Sequence, residues 1–112
     1  MRIPSNGKLL RIFVDETDRF QGQPLYEAIV LKARQLGMGG ATVLKGIMGF
    51  GLRSLMHHSN ILKISENAPI VIEIVDSEEN TEKFIKLMDE MVREGLVTVE
   101  TVNVVKYQVK PS

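Results

Sequence analysis

The sequence predicts an α+β fold: an antiparallel sheet that carries two helices on one of its faces. Three observations lead there. Strand-forming runs and runs with helical spacing alternate in the order strand, helix, strand, strand, helix, strand. Each helical run has a start signal and a glycine stop. Two strand–helix–strand units joined in this way close into an antiparallel sheet with right-handed crossovers.

Residues 8–15 read KLLRIFVD, rich in strand formers and partly alternating, and make the first strand. Residues 16–23, ETDRFQGQ, are polar and make a loop. Pro24 suits the first turn of a helix, where its missing N–H costs nothing. Leu25, Ala28, Ile29, Ala33 and Leu36 follow at helical spacing, and Gly37 supplies a left-handed stop, so the first helix covers 24–36. The next strand begins at Gly39-Gly40-Ala41 and runs through ATVLKGIMGFG to Gly51. Glycines at 46, 49 and 51 are unusual in a strand. They sit where a chain bulges, or where another backbone or a ligand comes close.

Residues 52–60, LRSLMHHSN, have no clear period and read as a loop or short helical turn. Residues 61–65 and 69–75 read as a strand pair broken at Glu66-Asn67-Ala68. The run from Ile70 to Val75 is the strongest strand former in the chain and is predicted to be central. Asp76 or Ser77 caps the second helix, and Glu78 and Glu79 suit its positive end. Phe84, Leu87, Met88, Met91 and Val92 form its buried face, Gly95 ends it, and 97–107 make the last strand.

This βαββαβ order is the ferredoxin-like split βαβ sandwich, with both helices on one face of the sheet. The other face is bare. Strands this apolar must place Val, Ile and Leu on it, and exposed apolar area on that scale marks an interface. The pattern alone therefore predicts an oligomer.

The whole chain narrows the function. Its 112 residues fit a single domain over 1–112. Lys and Arg number 14, as do Asp and Glu, so no long-range field collects nucleic acid or an anionic membrane surface. The chain has no cysteine, which removes disulfides, thiolate nucleophiles and cysteine-ligated metals. No apolar run approaches the roughly 20 residues that span a bilayer, and Met1 to Gly7 hold no apolar signal core. A cytoplasmic protein without membrane insertion is expected.

Two stretches carry a family resemblance. GATVLKGIMGFG at 40–51, followed by an irregular loop, and PIVIEIVD at 69–76, followed by an acidic-capped helix, resemble the PII signal-transduction proteins. The longer runs PLYEAIVLKARQLGMGGATVLKGIMGFG and ILKISENAPIVIEIVD resemble the PII-like proteins grouped as domain of unknown function 190. The likeness extends from Leu9 to Tyr107. It implies a homotrimer with an adenine nucleotide (ADP, AMP or ATP) in the clefts between subunits, and no required cofactor. Gly49, Phe50, Gly51 and Arg53 would approach the phosphates. Gly40 and Thr42 would border the adenine, with Glu73 and Val75 near the base. A loop at 52–60 would respond to ligand, and the partner reading it would be a membrane transport protein. One extra residue between Thr42 and Gly49 implies a bulge. Two departures stand out: EGLVTVET at 94–101 has one glycine and no lysine where PII proteins have a lysine-bearing phosphate loop, and neither Tyr26 nor Tyr107 lies in the loop. These favour a nucleotide with fewer phosphates, or a different ligand.

Each constellation also has a plainer reading. Gly-Phe-Gly lets backbone N–H groups reach an anion without a Cβ clash, or it is simply a bulge and turn. Arg53 offers a phosphate fork, or is a solvated surface arginine. His57 and His58 diverge in any regular structure, so they are surface loop residues unless copies meet on a trimer axis to hold a metal. Asp15, Glu16 and Asp18 are a solvated loop or a Mg²⁺ site. No residue set assembles a catalytic machine; Glu73 on a buried strand is a candidate base, but one carboxylate without partners is not a mechanism. Three functions follow: a PII-like nucleotide-binding regulator, a metal or ion sensor built on axial histidines, and a small-metabolite enzyme using Glu73 and Arg53.

Overall fold

The computed structural model describes residues 5–50 and 68–109. Strand β1 (Asn6–Asp15) runs into a tight hairpin of β2 (Arg19–Phe20) and β3 (Gln23–Pro24), followed by helix α1 (Leu25–Gln35). Strand β4 (Thr42–Lys45), strand β5 (Pro69–Asp76), helix α2 (Glu78–Met91) and strand β6 (Leu96–Asn103) complete the order. The β2–β3 hairpin, which sequence reading left as loop, turns on Gln21 and Gly22 with φ of 48° and 82°. Positive φ at both central residues belongs to the tight hairpin turn that matches strand twist.

The sheet order is β4-β5-β1-β6, and every neighbouring pair is antiparallel. This is the expected ferredoxin-like arrangement, with β5 inside the sheet as its composition predicted. Side chains alternate in direction along a strand. Leu10, Ile12 and Val14 of β1 and Ile70, Ile72 and Ile74 of β5 therefore share one face, and all are buried. Leu25, Ala28, Ile29 and Ala33 of α1 and Phe84, Met88 and Met91 of α2 cover that face and complete the core. Ser77 caps α2, its hydroxyl accepting from the Asn80 N–H at 3.1 Å.

Several boundaries shift for physical reasons. Leu36 follows the last helical residue as the C-cap and is exposed, so the apolar stripe of α1 ends at Ala33. On α2, Thr81 joins the buried side, while Leu87 and Val92 pack at its rim. The last strand stops at Asn103; Val104 N–H still donates to the Ser5 carbonyl at 2.6 Å, and 105–109 continue outside any strand. The predicted strand to Gly51 stops at Lys45. The next residue explains why. Gly46 N–H still donates to the Pro69 carbonyl at 2.7 Å, and a Cβ on Gly46 would lie 2.6 Å from the Pro69 ring. A close backbone approach, one of the reasons a strand holds glycine, is what this glycine serves. The predicted strand at 61–65 lies outside the described residues.

Gly95 is required in the same way between α2 and β6. A Cβ there would lie 2.7 Å from the Phe13 carbonyl oxygen and 3.0 Å from a Val92 methyl. Neither the β1 backbone nor the packed valine can yield cheaply. Gly95→Ala is expected to lower stability by about 2 kcal/mol in urea unfolding, on the scale of overpacking and backbone displacement. Gly37, with φ of 71° and nothing within 4 Å of a built Cβ, should cost less on the same change, about 1 kcal/mol.

Candidate functional site

The face of the sheet away from the helices holds the other half of the alternation. Leu9, Arg11 and Phe13 of β1 and Val71, Glu73 and Val75 of β5 lie on it, each half-buried. Strand pairing lines these up with the outer strands. One row across the sheet is Leu44, Val71, Phe13, Leu96; the next on the same side is Thr42, Glu73, Arg11, Thr98. The uncovered face thus has an apolar band at one level and a polar band beside it.

An ion-pair network crosses the polar band. Arg11 Nε donates to Glu73 Oε2 at 2.9 Å, and Arg11 Nη1 donates to Glu100 Oε1 at 2.7 Å. The hydrogen bond to Glu73 does most to hold the guanidinium charged, the Glu100 contact adds to it, and partial desolvation opposes both. One arginine therefore ties β5, β1 and β6 together by side chains on the face that no helix covers. Sequence reading placed Glu73 on a buried strand as a possible lone base. The structure instead gives it a half-exposed position and an arginine partner.

At the α2 end of β5 a second polar cluster is buried. Asp76, 2% exposed, accepts from the Gly39 N–H at 2.7 Å, the Ser77 N–H at 2.7 Å and Asn80 Nδ2 at 3.0 Å. A buried carboxylate is tolerated when several donors satisfy it. Asp76 thereby fixes the chain entering β4 against the start of α2. Tyr107 adds a second tie, its hydroxyl donating to the Gly39 carbonyl at 2.7 Å. The C-terminal segment leaves β6 at one edge of the sheet and reaches Gly39 near the other.

The sequence-predicted site residues separate into two groups. Thr42 and Glu73 are register partners, Val75 shares their face, and Gly40 lies two residues before Thr42 with φ of 150°. The second group sits at the far end of β5. Gly49 approaches Pro69, where a Cβ would lie 3.2 Å from the ring, and Phe50 is 73% exposed. Four residues of strand separate Pro69 from Glu73, about 13 Å. Gly51, Arg53, His57 and His58 lie outside the described residues. The acidic segment after β1 is committed to its own turn. Asp15 Oδ1 accepts from the Thr17 N–H and hydroxyl at 2.8 and 2.7 Å, Asp18 Oδ2 accepts from the Asp15 N–H at 3.0 Å, and Glu16 pairs with Lys45 at 2.8 Å. Among the described residues no group of three or more His, Asp or Glu side chains is placed to hold a metal ion.

Sequence reasoning missed Arg11, Glu100 and Tyr107. The alternation of KLLRIFVD puts Arg11 on the side opposite Leu10 and Ile12. Only the register with β5 and β6 shows that it meets two carboxylates.

The antiparallel four-stranded order with both helices on one side is a ferredoxin-like α+β fold. A solved structure of CPII from Thiomonas intermedia K12, described as bound to ADP, AMP and acetate, superposes with a TM-score of 0.61 at 17% identity, covering 90% of each chain. A functionally unknown protein from Pediococcus pentosaceus superposes with a TM-score of 0.58 at 12% identity, covering 95% of this chain and 99% of that one. The chain belongs to the family DUF190, described as uncharacterized ACR, whose model matches residues 7–104. A UPF0166 protein of Aquifex aeolicus is 35% identical over 98 residues, covering 88% of this chain and 92% of the relative. A UPF0166 protein of Methanocaldococcus jannaschii is 36% identical over 101 residues, covering 89% and 93%. Among the described residues no helix is long and apolar enough to cross a membrane.

The buried cluster can be tested directly. Asp76→Ala removes the acceptor of three hydrogen bonds and is expected to destabilise the protein by about 3 kcal/mol in urea unfolding, since bonds to a charged group exceed neutral ones. Asp76→Asn keeps the size but not the charge or both acceptor oxygens, and should fall between Asp76→Ala and the parent.

Proposed function

We propose that this chain is a regulatory protein that binds an adenine nucleotide between the subunits of a homotrimer and works by binding rather than turnover. The observation that carries the reading is its likeness in fold to a CPII protein described as bound to ADP, AMP and acetate. The uncovered sheet face supports the oligomeric part, because half-buried Leu9, Phe13, Val71 and Val75 lie on it without a helix above them.

In this reading Gly40, Thr42, Glu73 and Val75 border the adenine, and Gly49, Phe50, Gly51 and Arg53 reach toward the phosphates. Thr42 and Glu73 supply hydrogen-bonding groups on one face, and Val75 supplies an apolar contact beside them. The glycines at the other end leave room for a close backbone approach. AMP and ADP fit better than ATP, because 94–101 lack the glycine-rich, lysine-bearing loop that a triphosphate would use. Residues 52–60 follow Gly51 directly, so a ligand there would bias that segment, and a cytoplasmic partner (a membrane transport protein in the family reading) would sense the change.

Thermal unfolding with AMP, ADP, ATP, cyclic nucleotides and divalent metals tests the reading. A ligand at about 100 times its Kd adds about 2.7 kcal/mol, which raises the midpoint by roughly 10 °C for a domain of this size. AMP or ADP should produce that rise, and Arg53→Ala should weaken the affinity about tenfold, the scale of one charged hydrogen bond. No rise with any nucleotide would overturn the reading. A rise with metals alone, lost in His57→Ala, would transfer it to the axial-histidine sensor.

A further inference from the structure

The four strands of the main sheet meet at one end by their register. Asn6 faces Asn103, Lys8 faces Asp76, and Thr42 faces Glu73. The chain leaves β6 at this end, where the Val104 N–H donates to the Ser5 carbonyl at 2.6 Å. Val105 is then 90% exposed, and Val109 is 64% exposed. Apolar side chains left in water do little to hold a segment down. Between these two valines Tyr107 is half-buried, and its phenol donates to the Gly39 carbonyl at 2.7 Å. The phenol is therefore the anchor of this segment. To reach Gly39 from β6 the chain passes the ends of β1 and β5, two to three strand spacings or about 10 to 14 Å. The four residues from Asn103 to Tyr107 extend about 13 Å, so the span has little slack.

Gly39 is gripped by both of its backbone groups. Its N–H donates to Asp76 Oδ2 at 2.7 Å, and its carbonyl accepts from Tyr107. The Asp76 grip is rigid, because that carboxylate is buried and also accepts from the Ser77 N–H and Asn80 Nδ2. The Tyr107 grip hangs on a segment outside any strand. Residues 39–41 belong to no helix or strand, and Gly40 has φ of 150° with nothing within 4 Å of a built Cβ. Two successive glycines in such a segment can absorb a change of backbone angle, as hinges do. Thr42 opens β4 immediately beyond them.

We propose that residues 104–107 are a strap, and that the Tyr107 phenol latches it to Gly39, so that the C-terminal end of the chain sets the position of the Gly40–Thr42 approach to β4. The ligand part of the proposal rests on the function proposed above. A nucleotide bordered by Gly40 and Thr42 and a latched Tyr107 favour the same arrangement of Gly39, so each strengthens the other by the same factor. Asp76 holds the hinge permanently, and Tyr107 holds it conditionally. Neither Gly39 nor Tyr107 is part of the apolar core, so opening the latch frees the approach without loosening the core.

Two readouts on the folded full chain test the latch without any ligand. Lys106 is exposed and precedes Tyr107, so tryptic cleavage after Lys106 reports release of the strap. Amide hydrogen exchange at 39–42 reports the hinge. Tyr107→Phe keeps the ring and removes the hydroxyl. It should raise both rates about fivefold, the scale of one neutral hydrogen bond, while the amides of Leu10, Ile12 and Ile72 keep their parent rates. A chain ended at Lys106 should show the same rise at 39–42. Unchanged exchange at 39–42 in both variants would overturn the proposal. A rise shared by the β1 and β5 amides would overturn it too, since Tyr107 would then be a general support of the fold. Saturating AMP should slow cleavage after Lys106 in the parent, and Tyr107→Phe should bind AMP about fivefold more weakly. AMP binding with cleavage and affinity unaltered would overturn the coupling. No response to any nucleotide, with the two fivefold rises intact, would overturn the nucleotide reading and leave the latch standing.

Discussion

The register between β1 and β5 is the constraint from which the rest of the molecule follows. With Ile12 opposite Ile72 and Leu10 opposite Ile74, the branched aliphatics of both central strands fall on one face and are sealed by two helices. A slip of one residue would reverse every side chain and expose that core. The same register forces Leu9, Phe13, Val71 and Val75 to the other side, together with Arg11 and Glu73. One half of the alternation builds the subunit, and the other half builds a surface that a lone subunit leaves uncovered.

The charged network on that surface has a different role from the core. Arg11 and its two carboxylates are partly exposed in one subunit, where such pairs add little to stability. Covered by other copies, the same groups would have to keep their partners, because an unpaired buried charge is costly. A polar band beside an apolar one would therefore restrict how copies of the chain could stack on this face. The buried Asp76 cluster anchors the chain on its approach to Gly40 and Thr42.

Much of the fold was legible in the sequence, and particular residues show why. The run Ile70 to Val75 marks a central strand because it combines β-branching with the shortest possible period. Pro24, Gly37 and Ser77 punctuate the helices by backbone chemistry that needs no tertiary context, whereas α2 ends at Met91 with Val92 as its cap, ahead of Gly95, which the packing against Phe13 requires. The hairpin at Gln21–Gly22 escaped notice because two-residue strands carry no periodic signal. The extent of β4 was misjudged because the run through Gly51 reads as strand, whereas Gly46 is there to let Pro69 approach. The site was legible only in part. Thr42, Glu73 and Val75 lie on one face of the sheet, and Gly49 lies at the other end of β5, against Pro69. Arg11, Glu100 and Tyr107 carried no local signal, since each acts through a partner at least 62 positions away in the chain.

The central claim is that the uncovered face of the sheet is closed by other copies of the chain. Native mass spectrometry at low micromolar concentration tests it most directly, because it counts subunits and bound nucleotides in the same particle. The account predicts a particle of three 12.6 kDa chains that takes up AMP or ADP. A dominant 12.6 kDa species, unchanged by nucleotide, would contradict it.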